Sequence, residues 1–175
     1  MPTVLELTQM PGFKEVVSFV DNETALGDPQ YIKIKKAFDF WQSLREHGLP
    51  SRSQIDPVAL GADILPHVVL IDVIDNGKDY CWRLFGSRHE VEHGVNLKGK
   101  TLSEISKKDD VSVQFKILLD ATINNGCARF FKISYSNSND VTRTAVGAMM
   151  PLWSEGPTPS GLFGVADWIA PPVSS

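Results

Sequence analysis

The chain is short of the features that mark several large functional classes. It carries two cysteines in 175 residues, Cys81 and Cys127, with no C-x-x-C spacing to suggest a thiolate metal site. Both fall in strand-like segments and read as buried free thiols in a reducing compartment. A disulfide between them stays open at the level of sequence. The longest apolar runs, such as Val68-Val69-Leu70-Ile71, stop far short of the roughly 18 residues that a membrane span takes. Residues 1–20 hold Glu6, Lys14 and Glu15 without a basic-then-apolar order, so no secretory leader is expected and the location reads as cytoplasmic. Positive charge is scarce too. Lys and Arg number 17 against 21 Asp and Glu, a net charge of -4, which argues against a broad basic face for nucleic acid. The groups Lys33/Lys35/Lys36 and Lys107/Lys108 read as solvated faces. Also missing are a G-x-S-x-G elbow, a phosphate-cradling glycine loop, and a cysteine beside basic residues.

What is present is enough for one domain with extensions, at 42% hydrophobic and 22% charged residues. Residues 1–28 read as a loosely attached arm with a short helix around Gly12–Val20. From Pro29 to His47 the residues Tyr31, Ile34, Phe38, Trp41 and Leu44 recur at helical spacing, predicting an amphipathic helix stopped by Gly48. Asp56-Pro57 opens a short helix ending near Leu65-Pro66. Strands are predicted over His67–Ile74 and Tyr80–Phe85, joined by an Asp75-Asn76-Gly77-Lys78 hairpin turn. A helical connection over Gly86–Thr101 follows, then a Thr101-x-x-Glu104 capping pattern and a longer helix ending at Asn125-Gly126. Three more strands close the chain: Cys127–Ser136, Val141–Trp153 and Leu162–Ile169. The order predicts an α+β fold with one five-stranded antiparallel sheet, short central helices, one longer helix and the N-terminal amphipathic helix. In segments, the expectation is an arm over 1–28, a helix and connection over 29–65, a core over 66–170 and a tail over 171–175.

Four fragments then occur in a fixed order. They are Gly48-Leu49-Pro50-Ser51-Arg52-x-x-Ile55-Asp56-Pro57, Leu65-Pro66-His67-x-x-Leu70-x-Asp72-Val73, Trp82-Arg83-Leu84-x-Gly86, and Asn96-Leu97-x-Gly99-Lys100-x-Leu102-x-Glu104-Ile105. The set resembles the signature of a bacterial family of short, stand-alone PAS-related proteins, over about residues 38–170. Ser87 stands where that family usually has Thr, and Trp82 where it usually has Tyr. The resemblance implies a PAS fold and a sensory or regulatory module that is not an enzyme. Such a module binds a small ligand between sheet and central helices, a signalling partner protein, or both, and often dimerises. It names no cofactor and no particular partner.

Strand alternation supplies a candidate ligand pocket of Trp82, Phe115, Leu119, Phe131, Ile133, Met149 and Trp168, with small residues at Ala145, Gly147, Gly164 and Ala166. The competing expectation is a core filled by the helix over 111–125. Tyr31, Ile34, Phe38 and Trp41 are candidates for a partner or homodimer interface, or for covering the opposite face of the sheet. No catalytic residue and no metal ligand is assigned. The strongest temptation to do so is His89-Glu90-Val91-Glu92-His93, a match to H-E-x-x-H, in which His89 and His93 share a metal and Glu90 acts as base. Glu104 or Asp110 would have to serve as third ligand, and a helix between Gly86 and Gly94 has only about two turns. A short, solvent-facing helix is therefore expected here. His67 reads as a packed or hydrogen-bonded histidine. Asp72, inside an apolar strand, needs a partner or an exposed face, and Arg52 is expected to pin a carboxylate. A purely structural interaction module and a cone-shaped α+β isomerase are the remaining alternatives.

Overall fold

The computed structural model describes residues 16–105, 111–136 and 141–169. Its strands are β1 (Val16–Val20), β2 (Val68–Ile74), β3 (Asp79–Phe85), β4 (Arg129–Ser136), β5 (Thr142–Leu152) and β6 (Gly161–Ile169). They form one sheet in the order β1-β4-β5-β6-β2-β3, every pairing antiparallel. The helices are α1 (Asn22–Gly27), α2 (Ile32–Ser43), α3 (Pro57–Leu60), α4 (Ser87–His93), α5 (Leu102–Ile105) and α6 (Val111–Asn125).

The two-residue period of the strands divides the core between the two faces of the sheet. Val146, Ala148, Met150, Leu152, Phe163 and Val165 point to the side covered by α2. Met149, Leu162, Phe131, Val69 and Ile71 point to the side covered by α5 and α6. Trp168, Ala166 and Ala145 continue that second side toward α4. Local chemistry explains the connections. Asp56 caps α3 by accepting from the Val58 amide at 3.0 Å, with Pro57 in the first turn. Thr101 Oγ1 accepts from the Glu104 amide at 3.2 Å, while Glu104 Oε2 accepts from the Thr101 amide at 3.4 Å. The β2–β3 turn carries positive φ at Asp75, Asn76 and Gly77, which suits those residue types.

Three expectations need correction. The sheet has six strands, because Val16–Val20 pairs with β4 from Val16↔Ser134 to Val20↔Phe130. Over Val16–Val20 a strand stands where a helix was expected, and the part of that helix before Val16 lies outside the described residues. A five-residue run rich in β-branched side chains fits either period, and the open edge of β4 decides the outcome. α3 is a single turn, and α2 stops at Ser43, where the Leu44 and Arg45 amides turn back to Trp41 and Gln42 carbonyls. Finally, Tyr31, Ile34, Phe38 and Trp41 are buried in the chain's own core. Trp41 Nε1 donates to the Pro151 carbonyl at 3.0 Å, and Tyr31 Oη donates to the Phe131 carbonyl at 2.9 Å. Phe38 packs edge-on to Phe130. These four side chains thus take the other role expected of them, covering the sheet of their own chain.

Candidate functional site

The densest grouping of chemically capable side chains lies where α4 meets β4, β5 and β6. Gly86 allows the approach, since a Cβ there would sit 2.3 Å from the Pro66 carbonyl oxygen. The helix then runs for seven residues and ends at Gly94, whose φ of 76° closes it. At the i, i+3, i+4 spacing, His89, Glu92 and His93 share one face, and that face turns inward. His89 and Glu92 are buried and His93 is half-buried. The expectation of a solvent-facing helix is thus overturned. Phe85 below and Trp168 opposite supply apolar surface for the imidazoles.

The rings form a stack. His89 and His93 lie parallel, 2° apart in plane with centroids at 6.1 Å. His93 stacks on Tyr135 at 4.6 Å and 14°. Trp168 meets His89 edge-on at 4.9 Å, and its Nε1 donates to Tyr135 Oη at 2.8 Å. Phe85 closes the group at 5.3 Å from His89 and 5.7 Å from His93. His89 Nε2 lies 2.7 Å from the His67 carbonyl. A carbonyl only accepts, so Nε2 carries the proton. His67 is itself buried, with Nδ1 2.8 Å from the Ala166 carbonyl and Nε2 3.3 Å from Lys33 Nζ. Those partners place its proton on Nδ1.

Charge is concentrated at one margin. The Glu92 carboxylate, 8% exposed, receives Arg88 at 2.7 Å and Arg143 Nε at 2.6 Å. Arg143 Nε is off-line for a hydrogen bond despite its closeness. Burial pushes the His89 imidazole down to about 3, with the bond to His67 opposing and His93 and His67 adding to it. Burial also pushes His93 down to about 4, against the pull of the Glu92 charge.

This geometry does not assemble a hydrolytic metal site. Glu90, the base in that reading, is exposed and faces Asn96, 3.4 Å away. Glu104 is engaged in its own helix cap, and Asp110 lies outside the described residues. Among the described residues no group of three or more His, Cys, Asp or Glu side chains is arranged to hold a metal ion.

The candidate pocket residues split into two groups. Trp82, Phe115, Leu119, Phe131, Ile133 and Met149 come together under α6, where Trp82 and Phe115 stack at 5.9 Å. Trp168 belongs to the α4 stack instead. Two of the four small residues are occupied by neighbours: Phe131 lies over Gly147, and Val69 with Met149 over Gly164. Elsewhere Asp72 is held between Arg52, at 3.2 Å, and Arg83, and both cysteines are free, Cys81 buried and Cys127 exposed. Sequence reasoning missed Phe85, Arg88, Glu92, Tyr135 and Arg143 as a unit. The signal was Glu92, whose side chain shares a helix face with both histidines.

No curated protein matches the chain. Among solved structures it is similar to a Rhodobacter sphaeroides LOV protein, at 10% identity over 79% of this chain and 70% of that one, with a TM-score of 0.46. It is also similar to the PAS domain of an HTR-like protein from Haloarcula marismortui, at 18% identity over 58% and 81%, with a TM-score of 0.39. An RNA-binding light-oxygen-voltage receptor matches at 11% identity over 90% of this chain and 39% of that one, with a TM-score of 0.47. No helix among the described residues is long and apolar enough to cross a membrane. Residues 31–166, from the turn before α2 into β6, match the PAS domain family, and with more than half of its length matched the chain belongs to that family.

Proposed function

We propose that the protein is a sensory or regulatory PAS module that acts by binding a small ligand, a signalling partner, or both, without turnover. It fits the short bacterial branch whose ordered fragments it carries. The observation that supports binding over catalysis is the disposition of α4. The one constellation with hydrolytic potential has its histidines turned into an aromatic stack and its Glu90 turned to solvent. What α4 offers instead is a short helix held on the sheet by a few polar and aromatic contacts, the kind of element whose position a bound molecule can bias. Phe131, Val69 and Met149 already fill the space at Gly147 and Gly164 on the sheet. On that face a ligand has to displace side chains under α6 or enter beside α4, whereas a partner protein needs no such displacement.

Native mass spectrometry of the protein drawn from its own cells tests this. A co-purifying small molecule or a stoichiometric partner supports the proposal. A bare chain with no partner captured by cross-linking in those cells counts against it.

A further inference from the structure

The α4 stack has a property that neither packing nor ligand binding requires. Two imidazoles lie parallel in an enclosure where Glu92, the only buried carboxylate among the described residues, is already shared by Arg88 and Arg143. A proton arriving on either ring finds no spare negative partner. On His89, Nε2 already donates to the His67 carbonyl, so the incoming proton lands on Nδ1, and the other imidazole is the nearest ring on its own helix. His93 makes no hydrogen bond to a described residue; its neighbours are the rings of Phe85, His89, Tyr135 and Trp168.

The titratable and charged groups around the pair come from every element packed there. α4 brings Arg88, Glu90 and Glu92, and the turn before β2 brings His67. β4 brings Tyr135, β5 brings Arg143, β6 brings Asp167 at 3.7 Å from His67, and α2 brings Lys33 behind His67. Glu90 faces outward and Asp167 addresses His67, so neither compensates a charge in the stack. Relief comes from solvent. α4 is seven residues long and has Gly86 and Gly94 at its ends.

We infer that α4 is a proton-released element: protonation of His89 and His93 undocks it from β4–β6 and exposes Trp168 and Tyr135. The module thereby senses acidity, with protons as its signal or as a gate on a signal. The depressed imidazoles agree with the geometry, since burial disfavours both charged forms. This inference deepens the sensory reading and rests on it only for what the motion is used for.

Hydrogen-exchange mass spectrometry of the ligand-free protein at pH 7.5 and 5.0, corrected for intrinsic exchange rates, tests it. The opening equilibrium of the peptide spanning residues 86–96 should rise on the order of several hundred-fold, roughly 30-fold for each histidine. Peptides of β5 and β6, which open only with the whole chain, should remain far more protected than that peptide at pH 5.0. In His89→Gln/His93→Phe, which retains a donor toward His67 and a ring on Tyr135, the acid response of α4 should vanish. If that double variant fails to fold, His93→Phe alone should reduce the response to about 30-fold. The inference is overturned by unchanged α4 protection at pH 5.0, by sheet and helix opening together, or by an acid response that survives in the double variant or is undiminished in His93→Phe. Because no ligand is present in this assay, such a result removes the proton signal and leaves the binding proposal to its own mass-spectrometric test.

Discussion

Gly147→Ala is the sharpest test of the claim that the sheet's helix-covered face is filled. Gly147 lies mid-strand in β5, paired with Phe131 on one side and Ala166 on the other. A methyl group there would fall 2.5 Å from Phe131 Cζ, 3.0 Å from its Cε1 and 2.6 Å from the Val165 carbonyl oxygen. The ring can rotate away. The carbonyl cannot, because β6 is bonded to β5 and to β2 on its two edges. Replacing glycine by alanine in a strand is otherwise favourable by about 0.5–1 kcal/mol, so the clash must outweigh that gain. Overpacking costs of about 1–3 kcal/mol predict a net loss. With a urea slope of roughly 1–3 kcal/mol per molar, the unfolding midpoint should fall by about 0.5–1 M at unchanged slope. Gly164→Ala should cost less, since two of the three atoms it meets are the mobile end of Met149. A Gly147→Ala midpoint equal to or above that of the unaltered protein would refute the packing described, and would mean that the face has room for a ligand as it stands.

Stability should also fall with acid. His89 and His93 are held at about 3 and about 4, below the ordinary value near 6.5. The unfolded chain therefore binds protons first, and the stability these rings contribute is intact above pH 6.5 and lost as pH falls toward 4. At pH 5.0 the loss is about 2 kcal/mol for each. Urea unfolding at pH 7.5 and 5.0 should show His93→Phe losing less than the unaltered protein, by about 2 kcal/mol. Glu92→Gln strips the counter-charge from Arg88 and Arg143 and should cost about 3 kcal/mol. Asp72→Ala, where both arginines are half-exposed, should stay within about 1 kcal/mol in the same urea assay. Trp41→Ala should cost about 3–5 kcal/mol in urea unfolding, since Trp41 is buried in the chain's own core.

Much of the fold was legible because local signals and tertiary needs agreed. The Asp75–Lys78 turn, the Asp56-Pro57 cap and the alternation of Phe131, Gly147 and Met149 each have one physical reading. β1 was not legible, because Val16–Val20 becomes a strand only by completing the edge of β4. The direction in which α4 faces was hidden for a related reason. His89, Glu92 and His93 look polar, and a polar helix face reads as solvated. Only the arrival of Arg143 from β5, and of Tyr135 and Trp168 from strands far along the chain, makes that face worth burying. The H-E-x-x-H spacing was real and its face was shared, but the acid and the imidazoles point in opposite directions.

The inward orientation of that helix underlies both the binding and the proton-sensing readings, and NMR of the histidine rings addresses it most directly. With His89 and His93 assigned through His89→Gln and His93→Phe, both rings should remain neutral at pH 6. His93 should show cross-relaxation with the Tyr135 ring, and His89 with that of Trp168. Two rings that protonate with midpoints near 6.5 and show no contact with either aromatic residue would place the histidines in solvent and contradict the account.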